Sequence, residues 1–273
     1  MEERDESNYE LETPDIFTVV NNYFLLFFGI ACVMSSIYLQ GLFVFLDQLR
    51  IGISVSSLVG IIIPMYLFFR RSPLGFKQQL RILPPKSTMG VYVILATIMS
   101  IVTIDFIYII SQRMFPVPTE FTESLKTLKP EGAGAVAITF LGLCVVVPFA
   151  EELVFRGLVQ QVFTRNMDGV LAFIMAGLFF GVVHLSAHLL ISVSLFGILL
   201  GFIFYATKNL TYTILSHAVF NAVSFIQLVT TPADHLDDPP FYIQDTRLLV
   251  ASVVFLAFFL VKIKKGDTET ETP

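Results

Sequence analysis

Charge is scarce in this sequence: 14% of its 273 residues are charged, whereas 55% are hydrophobic. With a mean hydropathy of +0.77, the chain is too apolar for an ordinary soluble domain of this length. The net charge of −5 argues against a nucleic acid as partner, because nucleic-acid-binding domains carry basic patches. The lipid bilayer is therefore the expected surroundings of the chain.

Tryptophan is absent and cysteine is rare. Without tryptophan, anchoring at the membrane surface falls to tyrosine, lysine and arginine. Cys32 and Cys144 each lie within an apolar run, so neither a disulfide framework nor a thiolate metal cluster is predicted. A cleavable secretory signal is not expected either, since acidic residues precede the first apolar run near Tyr23, where a basic segment is typical.

Eight apolar runs approach the ~20 residues that a helix needs to cross a bilayer. They cover residues 23–46, 52–69, 88–110, 134–158, 169–187, 189–206, 210–229 and 246–263. The sequence thus predicts an all-α, polytopic integral membrane protein with about eight transmembrane helices. The segment between the third and fourth runs, residues 112–131, is predicted to be a loop with one short surface helix.

Glu151, Glu152 and Arg156 stand in the fourth run, where ionisable groups are costly and mark candidate functional sites. Glu152 and Arg156 are four residues apart, acid first, as helical ion pairs prefer, so Arg156 is expected to neutralise Glu152. Glu151 points about 100° away around the helix and has no local cation. Glu151 is therefore the candidate general base. A structural salt-bridge network that uses both acids is the alternative.

His184 follows Phe180 by one helical turn, late in the fifth run. The predicted turn between the fourth and fifth helices is Asn166 to Gly169. Glu151 lies about 22 Å before this turn and His184 about 22 Å after it, at 1.5 Å per residue. Two antiparallel arms of equal length would bring both side chains level. A histidine that only hydrogen-bonds between helices is the alternative.

His217 and Asn221 share one face of the seventh predicted helix, one turn apart. An imidazole and a carboxamide so placed could donate two hydrogen bonds to one anionic oxygen. In the alternative interpretation, Asn221 joins neighbouring helices and His217 satisfies a carbonyl.

His188 adds a second pair at helical spacing, because it follows His184 by four residues. This spacing occurs in zinc sites, so a zinc site of His184, His188 and His217 is a further alternative. It ranks lower, because a helix break is expected near Ser186 and no glutamate follows His184 as in His-Glu-x-x-His motifs.

Three motifs follow one another along the chain: Glu-Glu-x-x-x-Arg at 151–156, Phe-x-x-x-His at 180–184 and His-x-x-x-Asn at 217–221. Together they resemble the type II CAAX prenyl endopeptidase and bacteriocin-processing family of intramembrane glutamic proteases. The similarity covers about residues 134–225 and includes Gly197 and Gly201 ahead of the last motif.

The resemblance implies a role for each residue of these motifs. Glu151 and His184 would activate a water molecule, and His217 and Asn221 would stabilise the oxyanion. The remaining motif residues would shape the site without reacting; they are Glu152, Arg156 and Phe180. The reaction would need no metal or other cofactor.

The resemblance also implies a substrate class, a peptide bond near the C-terminus of a prenylated (CAAX-type) protein or of another membrane-associated peptide. A prokaryotic cell membrane is the expected location. Two other functions stay open: a non-proteolytic immunity factor or scaffold of the same family, and a zinc-dependent membrane peptidase.

On this basis the chain divides into five parts. They are an acidic cytoplasmic tail (1–22), N-terminal transmembrane helices and loops (23–132), a peptidase core with the three motifs (133–230), a loop with the last transmembrane helix (231–265) and a disordered tail (266–273).

Eight spans place both chain termini on the same side of the membrane, and most of the 17 basic residues fall on that side. Loops rich in Lys and Arg stay in the cytoplasm, so both chain termini are predicted to be cytoplasmic. A reporter protein that works only in the cytoplasm should therefore be active when it is fused after Lys265. Activity of an extracytoplasmic reporter at this position would contradict the orientation.

Overall fold

The computed structural model describes residues 15–236 and 245–268. Within these ranges there is no β-strand, and eight main helices form the molecule. They are α1 (Asn22–Phe45), α2 (Leu49–Phe69), α3 (Ser87–Ser111), α4 (Ala133–Asn166), α5 (Gly169–Val182), α6 (Leu190–Thr207), α7 (Leu210–Thr230) and α8 (Thr246–Thr268). All of them except α5 are long and apolar enough to cross a bilayer, which confirms the predicted all-α membrane fold.

Helix α5 corrects one predicted span. The sequence places a helix over residues 169–187, but α5 ends at Val182 and has 14 residues. It is therefore ~21 Å long, less than the ~30 Å of a bilayer's hydrocarbon core. The chain then forms a loop in which Leu185 adopts a left-handed conformation, with φ at 51°. In the described part of the chain, seven helices are thus of spanning length, and α5 is a shorter apolar helix beside them.

Capping residues fix the turns on either side of the α5–α6 pair. The side chain of Asp168 accepts hydrogen bonds from the first backbone N–H groups of α5. Asn209 does the same for α7, directly after Lys208 ends α6 in a left-handed conformation. Such caps satisfy the donors that a helix start leaves unpaired. The predicted turn before α5 and the predicted break before α7 are both confirmed.

Helix α4, the longest at 34 residues, contains a π-turn at Gly142–Val146. Pro148 follows this turn and explains it, because proline has no N–H and its ring clashes with the preceding helical turn. The wider turn lets the N–H of Val147 bind the carbonyl of Gly142, five residues back. Helix α2 has the same arrangement, with a π-turn just before Pro64.

A second π-turn, Phe155–Gln160, follows in α4. The segment with both glutamates, Val147–Val154, therefore lies between two π-turns. Such turns occur frequently at functional sites, because each one shifts the face on which the following residues lie.

Helices α5 and α6 form an antiparallel pair with touching backbones. A Cβ atom added at Gly177 would lie 2.4 Å from the backbone nitrogen of Ile198, and one at Gly197 would lie 2.7 Å from the carbonyl oxygen of Gly177. Small residues permit this approach, as in other membrane helix pairs. The contact holds α6 in the position from which its carbonyls meet α4.

The surface helix (Thr119–Leu128) is confirmed between α3 and α4. Arg50 donates to the carbonyls of Thr127 and Lys129, at 2.9 and 2.7 Å. Lys129 in turn donates from Nζ to the carbonyls of Leu228 and Val229 near the end of α7, at 2.8 and 2.9 Å. These cations satisfy carbonyls that helix ends leave unpaired, so they tie the surface helix to α2 and α7.

The residues before α1 are held against the end of α4. Asp15 pairs with Arg165 and accepts a hydrogen bond from the side chain of Gln79. Phe17 is buried, and the guanidinium of Arg165 lies 5.2 Å from the centre of its ring. This end of the predicted acidic tail is thus packed on the helices.

The predicted tails extend past the described residues at both ends. Residues 1–14 of the predicted cytoplasmic tail lie outside the described part, as do residues 237–244 of the last loop. The predicted disordered tail at 266–273 is wrong at its start, because α8 continues to Thr268. Residues 269–273 also lie outside the described part.

Replacing Gly197 by alanine should destabilise the protein, because the new methyl group meets the backbone of α5. Such overpacking typically costs about 1–3 kcal/mol, so the melting temperature in detergent should fall. Gly41→Ala in α1 is the matched control, since no atom lies within 4 Å of the added Cβ. Equal melting temperatures for the two variants would contradict the close contact of α5 and α6.

Candidate active site

A fully buried ion pair lies at the centre of α4. Arg156 donates from Nη1 to Oε1 of Glu152 at 2.8 Å, and both side chains have no exposed surface. Arg156 also donates from Nη2 to the carbonyl of Gly197 in α6, at 2.8 Å. The predicted neutralisation of Glu152 by Arg156 is confirmed. Because the pair is removed from water, it depends on these short contacts.

His217 connects the two glutamates. Its Nδ1 lies 2.9 Å from Oε1 of Glu152, and its Nε2 lies 3.7 Å from Oε2 of Glu151. Glu151 keeps 22% of its side chain exposed, whereas Glu152 keeps none. The two neighbouring acids therefore have different surroundings, and Glu151 is the one that is partly exposed.

Aromatic rings enclose this group. The centre of the Phe180 ring lies 4.7 Å from the guanidinium carbon of Arg156, within cation–π range. The same ring lies edge-on to His217 at 5.9 Å and to His184 at 4.8 Å. Phe196 packs on the other side of His217, at 5.3 Å between ring centres. Phe180 thus separates the ion pair from the loop that carries His184.

His184 lies just after the end of α5 and is exposed at the protein surface. Its Nδ1 is 2.7 Å from the carbonyl oxygen of Phe180. Because a carbonyl can only accept, Nδ1 carries the proton and Nε2 is the free acceptor of the neutral ring. Neither a hydrogen bond nor an ion pair joins His184 to Glu151. The structure connects the two residues, which were predicted to lie level, through the rings of Phe180 and His217.

Asn221 has a structural partner. Its Nδ2 donates to the carbonyl of Leu143 in α4, at 2.8 Å. This carbonyl lies in the first π-turn, where its donor at the π spacing would be Pro148, which has no N–H. Asn221 thus fills a gap that the proline creates. One N–H of Asn221 is thus used on Leu143 and Nδ1 of His217 on Glu152, which leaves the second N–H of Asn221 and Nε2 of His217 outside these hydrogen bonds.

The alternative zinc site is not assembled. His188 is buried, with 3% of its surface exposed, and its Nδ1 lies 2.8 Å from the hydroxyl of Ser186. Among the described residues, no group of three or more His, Cys, Asp or Glu side chains is arranged to hold a metal ion. His184, His188 and His217 therefore do not form the ligand set that the spacing predicts.

The contacts between α4 and α6 were not predicted from the sequence. Gln160 donates to the carbonyl of Gly201 at 2.8 Å, one turn beyond the bond from Arg156 to Gly197. Arg156 and Gln160 are four residues apart on α4, as are Gly197 and Gly201 on α6. This equal spacing on the two helices was a usable signal of their contact. The link between Asn221 and α4 was signalled by Pro148, which predicts an unpaired carbonyl one turn earlier.

The three motifs thus lie on α4, on α5 and at its end, and on α7, around one buried ion pair. Residues 133–223 match a family model described as type II CAAX prenyl endopeptidase Rce1-like. The chain carries an Rce1-like domain. The match covers a third of the chain and confirms the resemblance predicted from the motifs. Neither the curated proteins nor the solved structures contain a match.

The Rce1-like domain extends from the start of α4 into α7 and includes every motif residue. Helices α1 to α3 and α8 lie outside it and pack around it. Thr97 of α3 shows this contact, because its hydroxyl lies 2.6 Å from that of Ser216, next to His217. The helices outside the domain thus help to fix the position of α7.

Arg156→Met should strongly destabilise the Rce1-like domain, because it leaves Glu152 buried without its cation. Breaking one side of a buried ion pair costs about 3–5 kcal/mol, which a thermal unfolding curve in detergent would register. Adding Glu152→Gln should recover part of the loss. The control is Arg247→Met, which removes an exposed arginine paired with Asp245 and should leave the curve unchanged. Wild-type stability of Arg156→Met would contradict the role of the pair.

Proposed function

We propose that this protein is a membrane-embedded endopeptidase that hydrolyses a peptide bond with Glu151 as the general base. The observation that carries the proposal is the contrast between the two acids of the Rce1-like domain. Glu152 is buried and paired with Arg156, whereas Glu151 is partly exposed beside His217. A carboxylate that water reaches, next to an oriented imidazole, is suited to activate that water.

In the proposed mechanism, Glu151 takes a proton from a water molecule, and the resulting hydroxide attacks the scissile carbonyl. His184 assists in the activation of this water through its Nε2, because its Nδ1 donates to the carbonyl of Phe180. The proton then passes to the leaving amine. A second imidazole whose Nδ1 is held by a protein acceptor, His217, lies on the opposite side of Phe180.

Negative charge on the tetrahedral intermediate needs donors that are already in position. His217 protonated on both nitrogens would donate to Glu152 through Nδ1 and to the oxyanion through Nε2. Asn221 keeps one N–H beside its bond to Leu143, since an amide group has two. In this proposal both residues stabilise the oxyanion, as the family resemblance implies. Arg156 balances the charge of Glu152 throughout.

The proposed substrate is a peptide bond near the C-terminus of a prenylated protein or of another membrane-associated peptide. The support is the Rce1-like match, whose description names CAAX prenyl endopeptidases. The spanning helices make a bilayer-bound substrate suitable, because the site lies between them.

A non-proteolytic scaffold or immunity factor is the second candidate. One observation favours it, namely that Asn221 is used to join α7 to α4. Measurement of peptide cleavage separates the two candidates. A peptidase should lose cleavage on Glu151→Gln, whereas the function of a scaffold would tolerate this change.

Glu151→Gln should lower kcat about 10²–10⁴-fold on a panel of prenylated and unprenylated C-terminal peptides, because the amide cannot accept the proton. His184→Ala should also lower kcat. The protein would be assayed in detergent with folding verified by thermal unfolding. Glu123→Gln, the same change at an exposed acid of the surface helix, should retain full activity.

Full activity of Glu151→Gln would refute the mechanism. The same assay with a chelator tests the zinc alternative, and activity is expected to persist. Loss of activity with chelator that returns on adding zinc would favour a zinc peptidase.

A further inference from the structure

The loop between α5 and α6, residues 183–189, carries His184 and ends at His188. Most of its side chains are at least partly exposed; Leu185, for example, is 72% exposed and has a left-handed backbone. His188 is the exception, because only 3% of its surface is exposed. His188 is therefore the residue through which this loop is anchored to the protein interior.

The contacts of His188 run in two directions. Within the loop, its Nδ1 lies 2.8 Å from the hydroxyl of Ser186. Outside the loop, its ring lies edge-on to Phe121 of the surface helix, 4.5 Å between centres, and 6.5 Å from the ring of Tyr108 in α3. The second ring nitrogen, Nε2, is buried and has no partner. His188 thus joins the loop to two other elements.

Burial lowers the pKa of His188 below its usual value, so the ring is neutral near pH 7. Either Nδ1 or the Ser186 hydroxyl can donate in the bond between them, and Nε2 is buried without a partner in both cases. A buried bare nitrogen is less costly than a buried charge.

The surface helix provides a firm base for this contact. Arg50 and Lys129 tie its C-terminal end to α2 and α7, and Leu128 is buried against Ile53 and Leu228. Phe121 lies two turns before Leu128 on this helix. The element against which His188 packs is therefore itself fixed on two sides.

We infer that His188 is a positioning residue for His184: its bond to Ser186 and its contact with Phe121 hold the loop in the form that presents His184 beside Phe180. The inference rests on the proposed function for the role of His184 in catalysis. His188 does not touch the reacting groups. Its removal should therefore alter the rate of the chemical step, with little effect on substrate binding.

Two variants separate the two contacts. His188→Asn keeps a polar atom near the position of Nδ1 and so retains the bond to Ser186, whereas His188→Phe keeps a ring against Phe121 and loses the bond. Ser186→Ala removes the same bond from the other side. His235→Phe is the matched control, since His235 is exposed and lies outside the loop.

The first measurement is hydrogen–deuterium exchange of residues 183–189 in detergent, which needs no activity. Exchange should rise about tenfold in His188→Phe and Ser186→Ala, the effect of losing one buried hydrogen bond. It should stay closer to wild type in His188→Asn. The double variant Ser186→Ala/His188→Phe should be no worse than either single one, because both remove one shared interaction. Unchanged exchange in the single variants would overturn the inference.

The second measurement is peptide cleavage by the same variants. In His188→Phe, kcat should fall about tenfold and KM should stay within about twofold, with partial recovery in His188→Asn. A raised exchange with unchanged kcat would also overturn the positioning role. If Glu151→Gln remains fully active, the proposed function fails instead, and the exchange data alone decide whether His188 holds the loop.

Discussion

The ion pair of Arg156 and Glu152 is the constraint on which the rest of the site depends. Two charges without any exposed surface need partners in close contact with them in a membrane protein. The carbonyl of Gly197, the face of Phe180 and Nδ1 of His217 supply those contacts. Each comes from a different helix or helix face, so the pair fixes α5, α6 and α7 relative to α4. The glycines of α5 and α6 are part of the same requirement, because the carbonyl of Gly197 reaches Arg156 only if α6 lies close.

Charge balance within this group explains how two adjacent glutamates acquire different properties. Arg156, the nearest cation along the helix, is used by Glu152, which is completely buried. Glu151 has His217 as its neighbour at 3.7 Å and keeps 22% of its side chain exposed. A buried, neutralised carboxylate orients the imidazole, and the imidazole in turn faces the partly exposed acid. The same arrangement, an imidazole whose Nδ1 is held by a protein acceptor, recurs at His184.

Local spacing in the sequence was sufficient for the helical membrane fold, the pairing of Glu152 with Arg156 and the Rce1-like resemblance. Those features depend on residues three or four apart, or on runs of about 20 apolar residues. The bond of Asn221 to Leu143 and the bond of His217 to Glu152 were not predicted, since they join residues 78 and 65 positions apart. The end of α5 at Val182 lies four residues before the break that was expected near Ser186, and the left-handed Leu185 falls between these two positions. Contacts across helices depend on rotation and tilt, which hydropathy does not encode.

The π-turn at Gly142–Val146 has a consequence for how this domain can vary. It holds one residue more than an ordinary turn would, and each residue of a helix corresponds to about 100° of rotation. Loss of that residue would turn the N-terminal part of α4 by this angle relative to Glu151 and carry the Leu143 carbonyl away from Asn221. Insertions and deletions near residue 142 should therefore be rare in functional chains of this kind, whereas the surface loops can change length freely. Pro148 thus fixes the direction in which Glu151 points from α4.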